Sequence, residues 1–225
     1  MLPKSDARSL AEEPARSGFR LWRGLVIFLP LFGALVGTMG AGIYFAILHM
    51  YLPRGATALP IKLDELLVAT LFAVLAFLPH ERRSIGLAGI VTFVASLAIR
   101  WLAIDALVPG RTMEVFIAAQ TVPRAAIVAI AWASRPSGTG AGFGFSSALT
   151  TPVALTAITE GIAAAMLCGL RPGLAILAGA YVIIRAVRWF SYRYAGGVNA
   201  DSFGVTQLLI EMFVLLLFTC GACRW

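Results

Sequence analysis

The sequence predicts an all-α fold, a polytopic transmembrane helical bundle of about seven spans. Apolar residues make up 60% of the 225 residues and charged residues only 13%, about half the share of an ordinary soluble domain. The mean hydropathy is +0.87. Apolar runs recur along the chain, and most approach the roughly 20 residues that a helix needs to cross a bilayer. Together these observations exclude a soluble domain.

Seven apolar runs carry this prediction, each bounded by polar residues, Gly or Pro. The predicted spans are about 25–49, 66–78, 85–107, 113–133, 148–170, 173–190 and 205–220. Small residues in the first span predict close approach by another helix; they are Gly33, Gly37, Gly40 and Gly42. Pro123 is expected to interrupt the fourth span. The second span is short, and if it were re-entrant, the later loops would exchange sides.

Positive charge predicts the orientation. The net charge of +7 lies scattered at the ends of apolar runs, a pattern that indicates topology rather than nucleic-acid binding. Residues 1–20 are predicted to be a polar cytoplasmic tail ahead of a single transmembrane domain over 21–225. Of the 18 Lys and Arg residues, two lie within spans, eleven fall on the side of the N-terminus, and five fall on the other side, namely Arg54, Lys62, Arg111, Arg171 and Arg224. The N-terminus is therefore expected in the cytoplasm, together with loops at 79–84, 134–142 and 191–204.

The last of these loops has the residues of a phosphate or metal-phosphate site. Gly196 and Gly197 permit close approach of backbone amides, while Asn199 and Asp201 supply oxygens, and carboxylate oxygen is a ligand that Mg²⁺ prefers. The alternative is an ordinary turn in which Asp201 or Ser202 caps the seventh span. The residues alone leave both interpretations open.

The middle loop offers a second candidate anion site. Arg135 precedes Gly138 and Gly140, and a guanidinium beside exposed amides would clamp a phosphate. The alternative is a flexible linker with a topogenic arginine. Arginines also flank the last loop, where they anchor the topology and would attract a bound polyanion; they are Arg185, Arg188 and Arg193. The neighbouring aromatic residues are interpreted as an interfacial belt; they are Trp189, Phe190, Tyr192 and Tyr194.

Four charged residues lie at or within apolar spans: Arg100, Arg124, Glu160 and Glu211. A charged side chain at the centre of a spanning helix costs about 2.5–3.5 kcal/mol on insertion scales. Each is therefore a candidate functional residue, with membership of a structural ion pair as the alternative.

The order of these motifs resembles the cobalamin synthase family, the adenosylcobinamide-GDP ribazoletransferases. That family ends in a Gly-Gly-x-Thr-Gly-Asp-x-x-Gly loop and a hydrophobic helix with a Glu. Here the loop reads GGVNADSFG from Gly196 to Gly204, and Glu211 lies in the next helix. Upstream, TVPRAAIVAIAWASRPSGTGAGF is similar to the family's Ser-Arg segment and Arg-Gly loop, and RGLVIFLPLFGALVG to its opening helix, with Pro30 and Gly33 in register. The resemblance covers most of residues 20–220.

One segment departs from the family pattern. After its second span the family carries a His-x-Asp-Gly-x-x-Asp-x-x-Asp-Gly segment that is taken to bind Mg²⁺, whereas this chain reads LPHERRSIGLAG. His80 matches the family His, and Glu81 is the one carboxylate left in that segment. In the last loop Thr-Gly-Asp has become Asn-Ala-Asp, so Asp201 remains as the secure member of the acidic set.

The resemblance implies a Mg²⁺-dependent transferase that joins α-ribazole, or its 5′-phosphate, to adenosylcobinamide-GDP and releases GMP in cobalamin biosynthesis. It places catalytic roles on Asp201, His80, Arg124 and Arg135, with Asp201 also as the Mg²⁺ ligand. It places substrate or phosphate binding on Gly196, Gly197, Asn199, Gly138, Gly140, Arg188 and Glu211.

The resemblance also implies a multi-pass protein of the bacterial inner membrane with cytoplasmic active loops. Its expected partners are the two small-molecule substrates and the lipid bilayer, and no nucleic acid is expected. Other cobalamin-assembly enzymes are further candidate partners. The missing aspartates favour an alternative, a catalytically impaired or repurposed membrane protein that binds or scaffolds. A small transporter is a third hypothesis, which would require paired polar residues within the spans.

Overall fold

The computed structural model describes residues 28–46, 69–70, 87–107, 109–136, 145–146 and 149–219. These residues form an all-helical bundle. Its six long helices are α1 (Phe28–Ala46), α2 (Leu87–Asp105), α3 (Thr112–Ala133), α4 (Thr151–Leu167), α5 (Leu170–Ala195) and α6 (Ala200–Thr219). Four of them, α1, α3, α5 and α6, are long and apolar enough to cross a membrane. The predicted helical membrane bundle is therefore confirmed.

Six of the seven predicted spans correspond to these helices. The second predicted span contributes only Ala69 and Thr70 to the described residues, both helical, so the count of seven stays a prediction. The predicted tail at 1–20 lies outside the described residues. The expected interruption at Pro123 is wrong, because α3 is continuous from Thr112 to Ala133. A bundled membrane helix tolerates proline since neighbouring groups re-satisfy the freed carbonyl, and α3 is surrounded by other helices.

The last loop is shorter than predicted, because only residues 196–199 lie between α5 and α6. The polar and aromatic residues before Gly196 end the apolar run without ending the helix. Gly196 closes α5 in the left-handed conformation (φ 69°), which favours glycine. The Oδ1 atom of Asn199 accepts the N–H of Ser202 at 2.9 Å, so Asn199 caps α6 rather than the predicted Asp201 or Ser202.

Helix α3 lies at the centre of the bundle. It packs most extensively against α4 and α6 and also contacts α5, while α2 packs on α6 and α5 contacts both α4 and α6. Small residues bring the helices close, as at Gly161 of α4, which lies against Ala125 of α3. Lipid tails are as apolar as the side chains that pack here, so close van der Waals packing drives the association of such helices.

The crossing of α1 over α3 brings two backbones into contact. A Cβ atom built on Gly33 would overlap the carbonyl oxygen of Gln120, and one on Gly37 would lie 2.6 Å from that of Phe116. Real Cβ atoms do not approach that closely. The close approach predicted from the small residues of the first span is confirmed at these two positions.

Gly33→Ala should lower the midpoint of thermal unfolding of the protein in detergent, because the added methyl group overlaps α3 and overpacking costs about 1–3 kcal/mol. Gly42→Ala in the same helix is the matched control. A Cβ atom there meets nothing within 4 Å, so the midpoint should stay unchanged or rise slightly, since alanine favours a helix by about 1 kcal/mol. Equal midpoints for the two variants would contradict the close crossing.

Candidate functional site

Two predicted loops meet at one end of the bundle. The segment 134–136 follows α3, the segment 196–201 joins α5 to the first turn of α6, and we call the two together the loop face. At the opposite end of the bundle, Arg111 precedes α3 and contacts the carbonyl of Cys168, just after α4, and the ring of Phe218, near the end of α6. The length of the helices separates this end from the loop face. The third predicted loop, 79–84, lies outside the described residues.

Backbone and side-chain hydrogen bonds hold the two segments of the loop face together. Pro136 and Val198 form an isolated parallel bridge, in which the N–H of Val198 donates to the carbonyl of Arg135 at 3.1 Å. The N–H of Arg135 donates to the hydroxyl of Tyr192, near the end of α5, at 2.7 Å. The structure therefore brings Arg135 beside the Gly-Gly-Val-Asn segment.

The backbone amides of the last loop are already used within the protein. The N–H groups of Gly196 and Gly197 both donate to the carbonyl of Ser191. The hydroxyls of Ser191 and Ser202 lie 2.7 Å apart and tie the end of α5 to the start of α6. A phosphate at the loop face would therefore meet side chains and the first amides of α6, where the helix dipole favours an anion.

Three charged side chains at the loop face are available to a ligand. Arg135 and Asp201 are exposed, and Arg188 is half-buried with its guanidinium 5.5 Å from the centre of the Tyr192 ring. Asp201 lies in the first turn of α6, where the dipole stabilises a carboxylate. Among the described residues, it is the one carboxylate at this end of the bundle.

The loop face fits Mg²⁺ only in a limited way. Among the described residues no three His, Cys, Asp or Glu side chains gather as a metal site. Mg²⁺ is nevertheless often held by one or two carboxylates together with substrate phosphates. The exposed carboxylate of Asp201 suits that arrangement, in which the ligand supplies most of the oxygens.

A second group of predicted residues lies deep in the bundle. The Nε and Nη2 atoms of Arg100 donate to the carboxylate of Glu211 at 2.8 and 2.9 Å, and Gln120 Nε2 donates to the same carboxylate at 2.9 Å. Arg124 donates to the side-chain oxygen of Gln120 at 2.9 Å and also to its carbonyl. We call these four residues the buried network. None is more than 4% exposed.

The buried network is distinct from the loop face. At a rise of about 1.5 Å per residue, Arg124 and Glu211 lie roughly 14–17 Å below the ends of α3 and α6. These two predicted site residues therefore do not meet Arg135 and Asp201. The ion-pair interpretation holds for Arg100 and Glu211. A transporter would require paired polar residues within the spans. Arg100 and Glu211 form such a pair, but both side chains are buried inside the protein.

Glu160 belongs to neither group. It lines an apolar cavity of about 260 Å³ between α1, α3 and α4, together with Thr121. In the described part of the chain its buried Oε2 atom has no hydrogen-bond partner, and neither has the Oγ1 atom of Thr121.

Three other predicted site residues lie outside the described residues, namely His80, Gly138 and Gly140.

Two residues that hold predicted site residues in place were not themselves predicted, Gln120 in the buried network and Tyr192 beside the loop face. Gln120 connects Glu211 to Arg124, and its signal was a polar amide inside an apolar helix. Tyr192 connects Arg135 to Arg188, but its position in an aromatic run suggested only an interfacial role. Neither residue carries a charge or lies within a Gly-rich loop, the two features that indicated the predicted site residues.

Comparison with known proteins identifies one family. Residues 81–219, more than half of the chain, match the family model described as cobalamin-5-phosphate synthase. The matched region includes α2 to α6, the buried Arg100–Glu211 pair and both segments of the loop face. No curated protein matches the chain, and no solved structure does. The resemblance drawn from the motifs is confirmed at the level of the family.

Glu211→Gln should destabilise the protein strongly, because it leaves Arg100 buried without its counter-charge, and breaking a buried pair costs about 3–5 kcal/mol. Glu114→Gln is the matched control. The Glu114 carboxylate pairs with Arg111 at 3.6 Å, but the two side chains are 44% and 35% exposed, so the change should cost below about 1 kcal/mol. Thermal unfolding in detergent measures both, and a smaller loss for Glu211→Gln than for Glu114→Gln would refute the assigned role.

Proposed function

The chain belongs to the cobalamin-5-phosphate synthase family, as a membrane-integral transferase of cobalamin biosynthesis, and from this premise we propose its reaction. It joins α-ribazole, or its 5′-phosphate, to adenosylcobinamide-GDP and releases GMP, in the presence of Mg²⁺. The observation that carries the proposal is the loop face, where Arg135 lies bonded to the loop that precedes Asp201.

The chemistry is an attack of an alcohol oxygen on phosphorus. A ribazole hydroxyl forms a new P–O bond to the phosphate that carries the cobinamide, and the P–O–P bridge to GMP breaks. The hydroxyl loses its proton to solvent or to a nearby base. Such a reaction depends mainly on positioning and on neutralising the negative charge that passes to the leaving GMP.

The loop face provides groups that would position the substrate and groups that would neutralise its charge. The guanidiniums of Arg135 and Arg188 would bind the diphosphate, since arginine recognises phosphate oxygens with paired N–H donors. The N-terminus of α6 adds a partial positive charge. Asp201 would hold Mg²⁺, which supplies charge neutralisation at the diphosphate when bound.

The proposed location is the bacterial inner membrane, with the loop face in the cytoplasm. The distribution of Lys and Arg supports this orientation, because the side that includes the loop face carries eleven of them against five on the other. A cytoplasmic loop face also meets soluble nucleotides directly.

A second candidate function is binding without turnover. It is favoured by the absence of a three-ligand metal cluster among the described residues and by the internal bonds of the Gly196 and Gly197 amides. A protein of this kind would still hold the nucleotide end of the substrate at the loop face, but it would release no GMP.

Asp201→Ala should abolish at least 99% of Mg²⁺-dependent GMP release from adenosylcobinamide-GDP and α-ribazole, because it removes the carboxylate placed to hold the metal. The magnitude follows from the several kcal/mol that a bound metal contributes to charge stabilisation, about tenfold per 1.4 kcal/mol. GMP is measured by chromatography with protein in lipid nanodiscs. Glu114→Gln, at the opposite end of the bundle, should keep full activity.

The outcomes separate the alternatives. GMP release by the wild type that stops on removal of Mg²⁺ supports the transferase. Substrate binding without any GMP release supports the second candidate. Full activity in Asp201→Ala would leave the reaction standing and remove Asp201 from the site.

A further inference from the structure

Tyr192 contacts two arginines, Arg135 of the loop face and Arg188 of α5. Its hydroxyl accepts the backbone N–H of Arg135 at 2.7 Å, and its ring carries the guanidinium of Arg188, with 5.5 Å between the guanidinium carbon and the ring centre. The side chain comes from the last turn of α5, whereas Arg135 follows α3. One phenol therefore joins the end of α5 to the segment that follows α3.

The Tyr192 hydroxyl also keeps a free donor. A phenol oxygen can accept and donate at the same time, and accepting from Arg135 leaves its own O–H unused. Among the described residues, the bond accepted from Arg135 is the hydrogen bond that this hydroxyl makes. The residue is 36% exposed, so a ligand at the loop face can reach it.

The groups around this O–H group select an anion. Arg188 lies over the ring, Arg135 continues from the bonded amide, and the exposed side chain of Arg193 lies in the last turn of α5. The amides of Gly196 and Gly197 are engaged with Ser191, so they do not offer the donors that a phosphate needs. Side chains and the first amides of α6 are left to bind a phosphate, and Tyr192 is a neutral donor that contacts both Arg135 and Arg188.

We propose that Tyr192 binds the diphosphate of the nucleotide-linked substrate directly, by donating its O–H to a phosphate oxygen between Arg135 and Arg188. The inference rests on the proposed function for the identity of the substrate, and it adds a binding residue that was assigned only to the membrane interface. The ring positions Arg188, and the hydroxyl contacts the ligand.

Tyr194 provides a matched control within the same helix. It lies two residues further on, so it points to another side of α5. It is 79% exposed, and its ring stacks on Phe190 at 6.0 Å between centroids with an interplanar angle of 13°. Tyr194→Phe removes a phenol O–H as Tyr192→Phe does, but away from the two arginines.

The test measures binding of GDP with Mg²⁺ to the full chain in nanodiscs by equilibrium dialysis, with guanosine as the phosphate-free probe. Tyr192→Phe keeps the ring under Arg188 and removes one donor to a charged group, so the Kd for GDP should rise about tenfold or more. The Kd for guanosine should not change. Tyr194→Phe should keep both values within about twofold of the wild type.

Each other outcome overturns the proposal or isolates it from the reaction. Unchanged GDP affinity in Tyr192→Phe, an equal loss for GDP and guanosine, or a wild type that binds no GDP would overturn it. Selective loss of GDP affinity in Tyr192→Phe, in a wild type that releases no GMP, would support Tyr192 as a phosphate ligand while the proposed reaction fails.

Discussion

The relative positions of α2, α3 and α6 depend on the buried pair of Arg100 and Glu211. The pair joins α2 to α6, and Gln120 connects it to the central helix α3. An ion pair inside a bundle adds little net stability, because both charges lose their hydration. Its effect is on specificity, since any packing that separates the two side chains leaves a charge stranded in an apolar environment. The pair therefore sets the depth of α6, the helix that begins at Asp201.

The middle of the bundle and the loop face are therefore held by different kinds of interaction. Hydrogen bonds of charged side chains hold the middle of the bundle. There Arg124 donates to Gln120, and its guanidinium carbon lies 5.8 Å from the centre of the Phe32 ring. Backbone bonds and neutral hydroxyls fix the loop face. Because the charged side chains of the middle are buried and hydrogen-bonded inside the bundle, a ligand would be bound by the side chains at the loop face.

The sequence could predict the bundle, because membrane insertion is a local property that composition and run length reveal. It could also predict the candidate loops, whose motifs follow the family order. It could not predict which charges pair, since Arg100 and Glu211 are 111 residues apart and meet only through tertiary packing. It placed the ends of α5 and α6 wrongly, because polar residues end an apolar run at the membrane surface while the helix continues to Gly196.

The loss of the family's acidic segment changes the balance of charge that a diphosphate would meet. At the loop face and the adjoining end of α5, the described residues present the cations of Arg135, Arg188 and Arg193 against the single carboxylate of Asp201. A site rich in carboxylates repels a polyanion until metal ions fill it, whereas a site rich in guanidiniums attracts the polyanion directly. In the proposed reaction, arginines would therefore neutralise part of the charge that metal ions neutralise in a site with more carboxylates. The retention of Asp201 among these cations is consistent with one metal ion that arrives with the diphosphate.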